Sequence, residues 1–149
     1  MNRMKLVKSA AILLLSMATT LISAQDKVVP YSQIPSKIKN YVTTHFPKHS
    51  VIQSEIDKEG LGFSKQYEID LSDGTELKFN SKNQIIAIEG KSKLPDSVIP
   101  KKIRHYIATN YPNNAITDWE IDGENQQISL DNDLELEFKM NGDFVKIDK

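Results

Sequence analysis

The stretch VVPYSQIPSKIKNYV (28–42) decides the reading of the fold, because KLPDSVIPKKIRHYI (93–107) follows it at a constant offset of 65 residues. Pro30, Ser32, Ile34, Pro35, Lys37, Ile38 and Tyr41 find identical residues at Pro95, Ser97, Ile99, Pro100, Lys102, Ile103 and Tyr106. The match runs on through Thr44/Thr109, Pro47/Pro112 and the tripeptides Glu55-Ile56-Asp57 and Glu120-Ile121-Asp122. Further along the offset drops to 59, pairing Ile69/Ile128, Leu71/Leu130, Glu76-Leu77/Glu135-Leu136 and Phe79/Phe138. Self-similarity of this kind predicts an internal repeat. The six-residue deletion between Asp122 and Gln127, against the Gly60–Gly62 region, is of the kind a hairpin tip tolerates.

Within each copy the apolar period is first helical. Ile34, Ile38, Tyr41 and Val42, then Ile99, Ile103, Tyr106 and Ile107, fall on one face. Ser32 and Ser97 are expected N-caps, with Pro35 and Pro100 in the first turn and Pro47 and Pro112 ending each helix. The period then becomes two. Strands are expected near 51–58, 64–71, 75–80 and 84–89, and near 116–122, 126–131, 134–140 and 143–148. Asp73-Gly74, Asp122-Gly123, Asn132-Asp133 and Asn141-Gly142 mark hairpin turns between them. The expected fold class is α+β: two tandem repeats of one helix plus a four-stranded antiparallel meander, helices packed on one face of the sheet. The repeats span 25–90 and 91–149, and they are expected to share a core or a continuous sheet as one compact unit, since ~60 residues alone bury little surface.

Residues 1–24 stand apart. Arg3, Lys5 and Lys8 precede an apolar run from Ala10 to Ile22, and Ser23-Ala24 are small residues before Gln25. That is the layout of a signal peptide cut near Ala24–Gln25, and it places the chain in the periplasm or outside the cell. The run is shorter than the ~20 residues of a spanning helix, which disfavours the competing reading of an uncleaved anchor. Removal leaves 125 residues with 16 basic against 20 acidic, a formal charge of −4, and no second apolar run. No nucleic-acid partner is expected of so little basic charge. The absence of Cys excludes disulfides and thiolate chemistry.

The unit Ile-Pro-x-x-Ile-x-x-Tyr-(Val/Ile)-x-Thr-x-(Phe/Tyr)-Pro, followed by Glu-Ile-Asp and Glu-Leu-x-Phe, resembles the PepSY-like family of exported, β-lactamase-inhibitor-like bacterial proteins. The resemblance spans about residues 28–148. It implies a helix-backed sheet with an open opposite surface, and carries no catalytic motif.

No catalytic residue, metal ligand or cofactor is expected from the residues either. His45 and His49 are separated by Pro47, and no His-Glu-x-x-His or Gly-x-Ser-x-Gly occurs. The Asp70–Gly74 and Asp131–Asp133 runs read as Asx-rich turns in preference to Ca loops.

Strand alternation supplies the candidate site. With Ile69, Leu71, Leu77, Phe79, Ile128, Leu130, Leu136 and Phe138 turned inward, the opposite face carries Glu55, Asp57, Glu68, Asp70, Glu76, Asp118, Glu120, Asp122, Asp131, Glu135 and Glu137 against one base, Lys78. A single-sign face of this kind is either a solvated surface or a site for a basic partner. Trp119, the only Trp, is a core filler if inward and an anchor if exposed. The expected function is an exported, non-catalytic binding or inhibitor-like module for an envelope protein or basic peptide. The alternative is a structural or stress-associated envelope protein without a tight ligand.

Overall fold

The computed structural model describes residues 27–59 and 64–148. The segment read as a signal peptide, and the Gly60–Gly62 region, lie outside the described residues. The chain runs β1 (Lys27–Val28), α1 (Ser36–His45), β2 (Val51–Glu59), β3 (Ser64–Leu71), β4 (Glu76–Phe79), β5 (Ile85–Glu89), α2 (Lys101–Asn110), β6 (Ile116–Asp122), β7 (Asn125–Leu130), β8 (Glu135–Lys139) and β9 (Phe144–Asp148).

The expectation of two tandem helix-plus-four-strand meanders is corrected here. Among the described residues the strands form one antiparallel sheet of nine, in chain order, and strands far outweigh the two helices. β1 is a ninth strand that pairs Lys27 and Val28 with Ile56 and Glu55. No boundary divides the sheet, because β5 and β6 pair at Ala87–Glu120, Ile88–Trp119 and Glu89–Asp118. The physical reason lies in the edges. A separate meander would leave the backbone groups of β5 and β6 unpaired, and joining them satisfies both edges and merges the two cores.

One apolar cluster results, drawing Ile38, Val42, Ile103 and Ile107 from the helices together with Ile69, Leu77, Phe79, Ile88, Ile128, Leu136 and Phe138 from the sheet. Edge-to-face ring contacts seat each helix on the sheet: Tyr41 on Phe79 at 5.5 Å and Tyr106 on Phe138 at 5.3 Å between centroids.

The helix starts also differ from expectation. Ser32 and Ser97 lie in short 3₁₀ turns (Tyr31–Gln33 and Asp96–Val98), and the helices begin only at Ser36 and Lys101, with Pro35 and Pro100 in the N-cap position. A residue before proline is held out of the α region, so Ile34 and Ile99 are extended and separate each 3₁₀ turn from its helix.

Four register shifts mark the sheet, at Val51/Gln53, Lys78/Phe79, Ile116/Asp118 and Glu137/Phe138. Each inserts one unmatched residue (Ile52, Ile86, Thr117 and Val145) and adds local twist. These shifts set which side chains reach the open face.

Candidate functional site

Ladder pairing organises the face opposite the helices into two rows that cross the strands. The first joins Asp70, Glu76, Glu89, Asp118, Ser129, Glu135 and Asp148 through successive pairs from β3 to β9. It contains no base. The second joins Glu55, Glu68, Lys78, Ala87, Glu120, Gln127, Glu137 and Lys146 from β2 to β9.

Of the eleven carboxylates read from the sequence, Glu55, Glu68, Asp70, Glu76, Asp118, Glu120, Glu135 and Glu137 stand in these rows. The other three extend beyond them. Asp57 pairs across from Gln66 towards the β2–β3 hairpin end, and Asp122 across from Asn125 at the β6–β7 hairpin, where the base Lys139, absent from the sequence count, is next in register. Asp131 lies in the β7–β8 turn, where it accepts a hydrogen bond from Asn114 Nδ2 at 2.9 Å. Sequence reasoning missed Glu89, Asp148 and the base Lys146. Their signal was the alternation along 84–89 and 143–148, which the unmatched Ile86 and Val145 interrupt.

Lys78 is the hub of the β2–β5 half. Its ammonium lies 2.8 Å from Glu76 and 3.4 Å from Glu89, and the Glu76 hydrogen bond holds its pKa above the usual lysine range. Burial, followed by the charge of Glu76, pushes Glu68 up to about 7, with Lys78 opposing the rise. Burial and Glu76 also raise Asp70, and burial and Asp122 raise Glu120. At the other end Lys146 pairs with Glu137 at 3.3 Å and Asp148 at 2.6 Å. Between them Asp118 is fixed by Thr117 Oγ1 and by the Gly90 amide, at 2.6 and 3.2 Å. A shallow depression of about 240 Å³ opens there, between Glu89, Asp118, Glu120, Gln127 and Ser129.

Carboxylate oxygens of Glu68, Asp70 and Glu76 lie within 4.8 Å of one another, close enough to share a cation. Lys78 already supplies a counter-charge there. The Asx-rich runs are turns: Asp73 Oδ1 accepts from Thr75 N at 3.0 Å and Asn132 Oδ1 from Leu134 N at 3.3 Å. The histidines are scattered, His45 on Ser97 and His49 on Asp73. Trp119 is buried on the helix side, and among the described residues the two rows carry no aromatic side chain.

The raised carboxyl of Glu68 sets a pH dependence. Its folded value of about 7 lies above the ordinary 4.5, so the folded chain holds its proton more tightly and stability falls as pH rises from about 4.5 to about 7. Glu68 is partly exposed, so the expected loss is about 1 kcal/mol after allowing for screening. Glu68→Gln should flatten this part of the curve and raise the melting temperature at pH 8 but not at pH 4. Parallel melting curves for parent and variant across that range would refute the burial argument.

A sheet backed by two helices on one face, with an acidic ladder on the other, defines a helix-covered antiparallel-sheet protein with an open polar surface. The family model described as "Putative beta-lactamase-inhibitor-like, PepSY-like" matches residues 20–87 and 65–146. The chain belongs to the PepSY-like family.

Solved structures agree. A "putative periplasmic protein" of the DUF2874 family from Bacteroides vulgatus is 30% identical, with 83% of this chain and 97% of that one covered and a TM-score of 0.77. A "putative calcium-regulated periplasmic protein" from Bacteroides thetaiotaomicron is 26% identical over 83% and 97%, at 0.77. A further "putative periplasmic protein of unknown function" from Bacteroides vulgatus is 29% identical over 84% and 100%, at 0.78. No curated protein matches the chain. Among the described residues no helix is long and apolar enough to cross a membrane.

Proposed function

We propose that this chain is an exported, non-catalytic binding module that takes an extended basic protein segment or peptide on its sheet face. Export is supported by the charged, apolar and small-residue order of residues 1–24 and by the periplasmic descriptions of the similar structures. The observation that carries the binding reading is the β3–β9 row, whose six carboxylates cross seven strands; Lys78 and Lys146 of the neighbouring row pair with Glu76, Glu89 and Asp148, while Asp70, Asp118 and Glu135 face no base at salt-bridge distance among the described residues. Its neighbours in a row sit one strand spacing apart, ~4.8 Å, so a cationic chain laid across the strands meets successive carboxylates. Such contacts are exposed and act more on the association rate than on final affinity. The second reading, a structural or stress-associated envelope protein without a tight ligand, is favoured by the lack, among the described residues, of an aromatic anchor on this face.

Titration of a lysine-rich extended peptide, with an uncharged peptide as control, separates the two. Glu89, Glu120, Asp122 and Glu135 are exposed, so the variant Glu89→Gln, Glu120→Gln, Asp122→Asn, Glu135→Gln should keep the parent's melting temperature. It should bind the basic peptide at least tenfold more weakly at low salt and lose most of the salt dependence. Equal binding by parent and variant would leave the face a solubility device and support the second reading.

A further inference from the structure

The helix side has the opposite charge. Neither α1, SKIKNYVTTH, nor α2, KKIRHYIATN, contains an acidic residue, and together they carry Lys37, Lys39, Lys101, Lys102 and Arg104. Lys93 joins them from the segment before α2. The carboxylates that meet this set are Asp96, paired with Lys93 and Arg104 at 3.2 and 3.7 Å, and Asp143, paired with Lys102. Lys37 and Lys101 are exposed and have no ion-pair partner among the described residues.

The placement works against the protein's own stability. Lys37, Lys101 and Lys102 stand in the first turns of their helices, where the backbone dipole is positive and carboxylates are the favoured residues. Solvated helices also commonly pair lysine with glutamate one turn away, and neither helix does so. The outward positions Asn40, Thr43, Thr44, His105, Ala108 and Thr109 offer no large apolar side chain. A protein partner is anchored by buried aromatic or aliphatic groups, whereas a diffuse cationic surface without an anchor matches a diffuse anionic one.

We propose that the helix side is a membrane-docking surface that binds anionic phospholipid headgroups electrostatically, without insertion. Docked this way, the acidic sheet face points away from the bilayer, because the same surface potential that attracts the helices repels it. The proposal does not depend on what the sheet face binds, so either can fail alone.

The experiment is vesicle co-sedimentation of the mature chain. It uses phosphatidylcholine vesicles alone and with roughly one third phosphatidylglycerol, at low and physiological salt. Binding is expected only to the anionic vesicles and should fall as salt rises, because the surface potential acts within a Debye length of about 8 Å. Lys37→Gln with Lys101→Gln should lower the partition at least tenfold, given roughly fivefold per basic residue at an anionic surface. Relief of the dipole clash should leave the melting temperature equal or higher, so lost binding cannot be laid to unfolding. Lys139→Glu changes the net charge equally but alters the opposite face, in register with Asn125, and should leave the partition unchanged. Equal binding to neutral and anionic vesicles, an unaffected double variant, or an equal loss with Lys139→Glu would each overturn the proposal. So would vesicle-independent self-association abolished by the same two substitutions, which would assign the helix side to the acidic face of a second copy.

Discussion

Phe138→Ala is expected to cost ~3–5 kcal/mol of folding free energy. Phe138 is fully buried, pairs across β7 and β9 with Gln126 and Phe144, and meets Tyr106 edge-on. Tyr106 in turn stacks on Phe144 at 4.8 Å. Removing the central ring therefore strips support from both an α2 residue and the edge strand, and neither backbone can collapse into the void. Phe79→Ala should fall in the same range, since Phe79 is also fully buried and carries Tyr41. In a chain of this size the melting temperature should drop on the order of 10–20 °C in each case. Because one apolar cluster spans the sheet, both variants should lower a single unfolding transition. Two separable transitions in calorimetry, each sensitive to one variant, would contradict the continuous core.

Gln126→Leu should destabilise the fold by ~1–3 kcal/mol although it makes a buried position more apolar. Gln126 accepts from Trp119 Nε1 at 2.8 Å and donates to the Lys139 carbonyl at 2.9 Å. Leucine would leave the indole N–H without a partner inside the core, while the Lys139 carbonyl keeps the Gly142 amide at 2.8 Å, and the penalty for an orphaned buried donor exceeds the gain from added apolar contact. Trp119→Phe should cost a similar ~1–3 kcal/mol, because it orphans the amide oxygen and trims a buried ring. In the double variant both halves of that bond are gone, so its loss should be smaller than the sum of the two by ~1 kcal/mol. Strict additivity in denaturant melts would mean the indole–amide bond contributes nothing.

The sequence placed the secondary structure well. Helical spacing at Ile34, Ile38, Tyr41 and Val42 and the switch to alternation after Pro47 are local patterns, enforced by which side chains must be buried. Ile69, Leu77, Phe79, Leu136 and Phe138 were legible as core for the same reason, and so were the eight carboxylates that stand in the rows. The family motif was legible too, because its prolines and tyrosines fix the helix ends and the helix–sheet contacts.

Three things were settled only by tertiary structure. The helix starts moved because each 3₁₀ turn competes with the N-cap position, and serine preference alone does not choose between them. Two expected meanders became one sheet because the pairing of β5 with β6 joins residues 87–89 to 118–120, far apart in the chain, and no local signal encodes it. The composition of the acidic face likewise depended on the bulges at Ile86 and Val145. A bulge shifts every later side chain by one position, so parity read from residues fails beyond it and brings Glu89, Lys146 and Asp148 onto the face unannounced. Local sequence determines what each strand can bury, and only the pairing of strands decides what they present together.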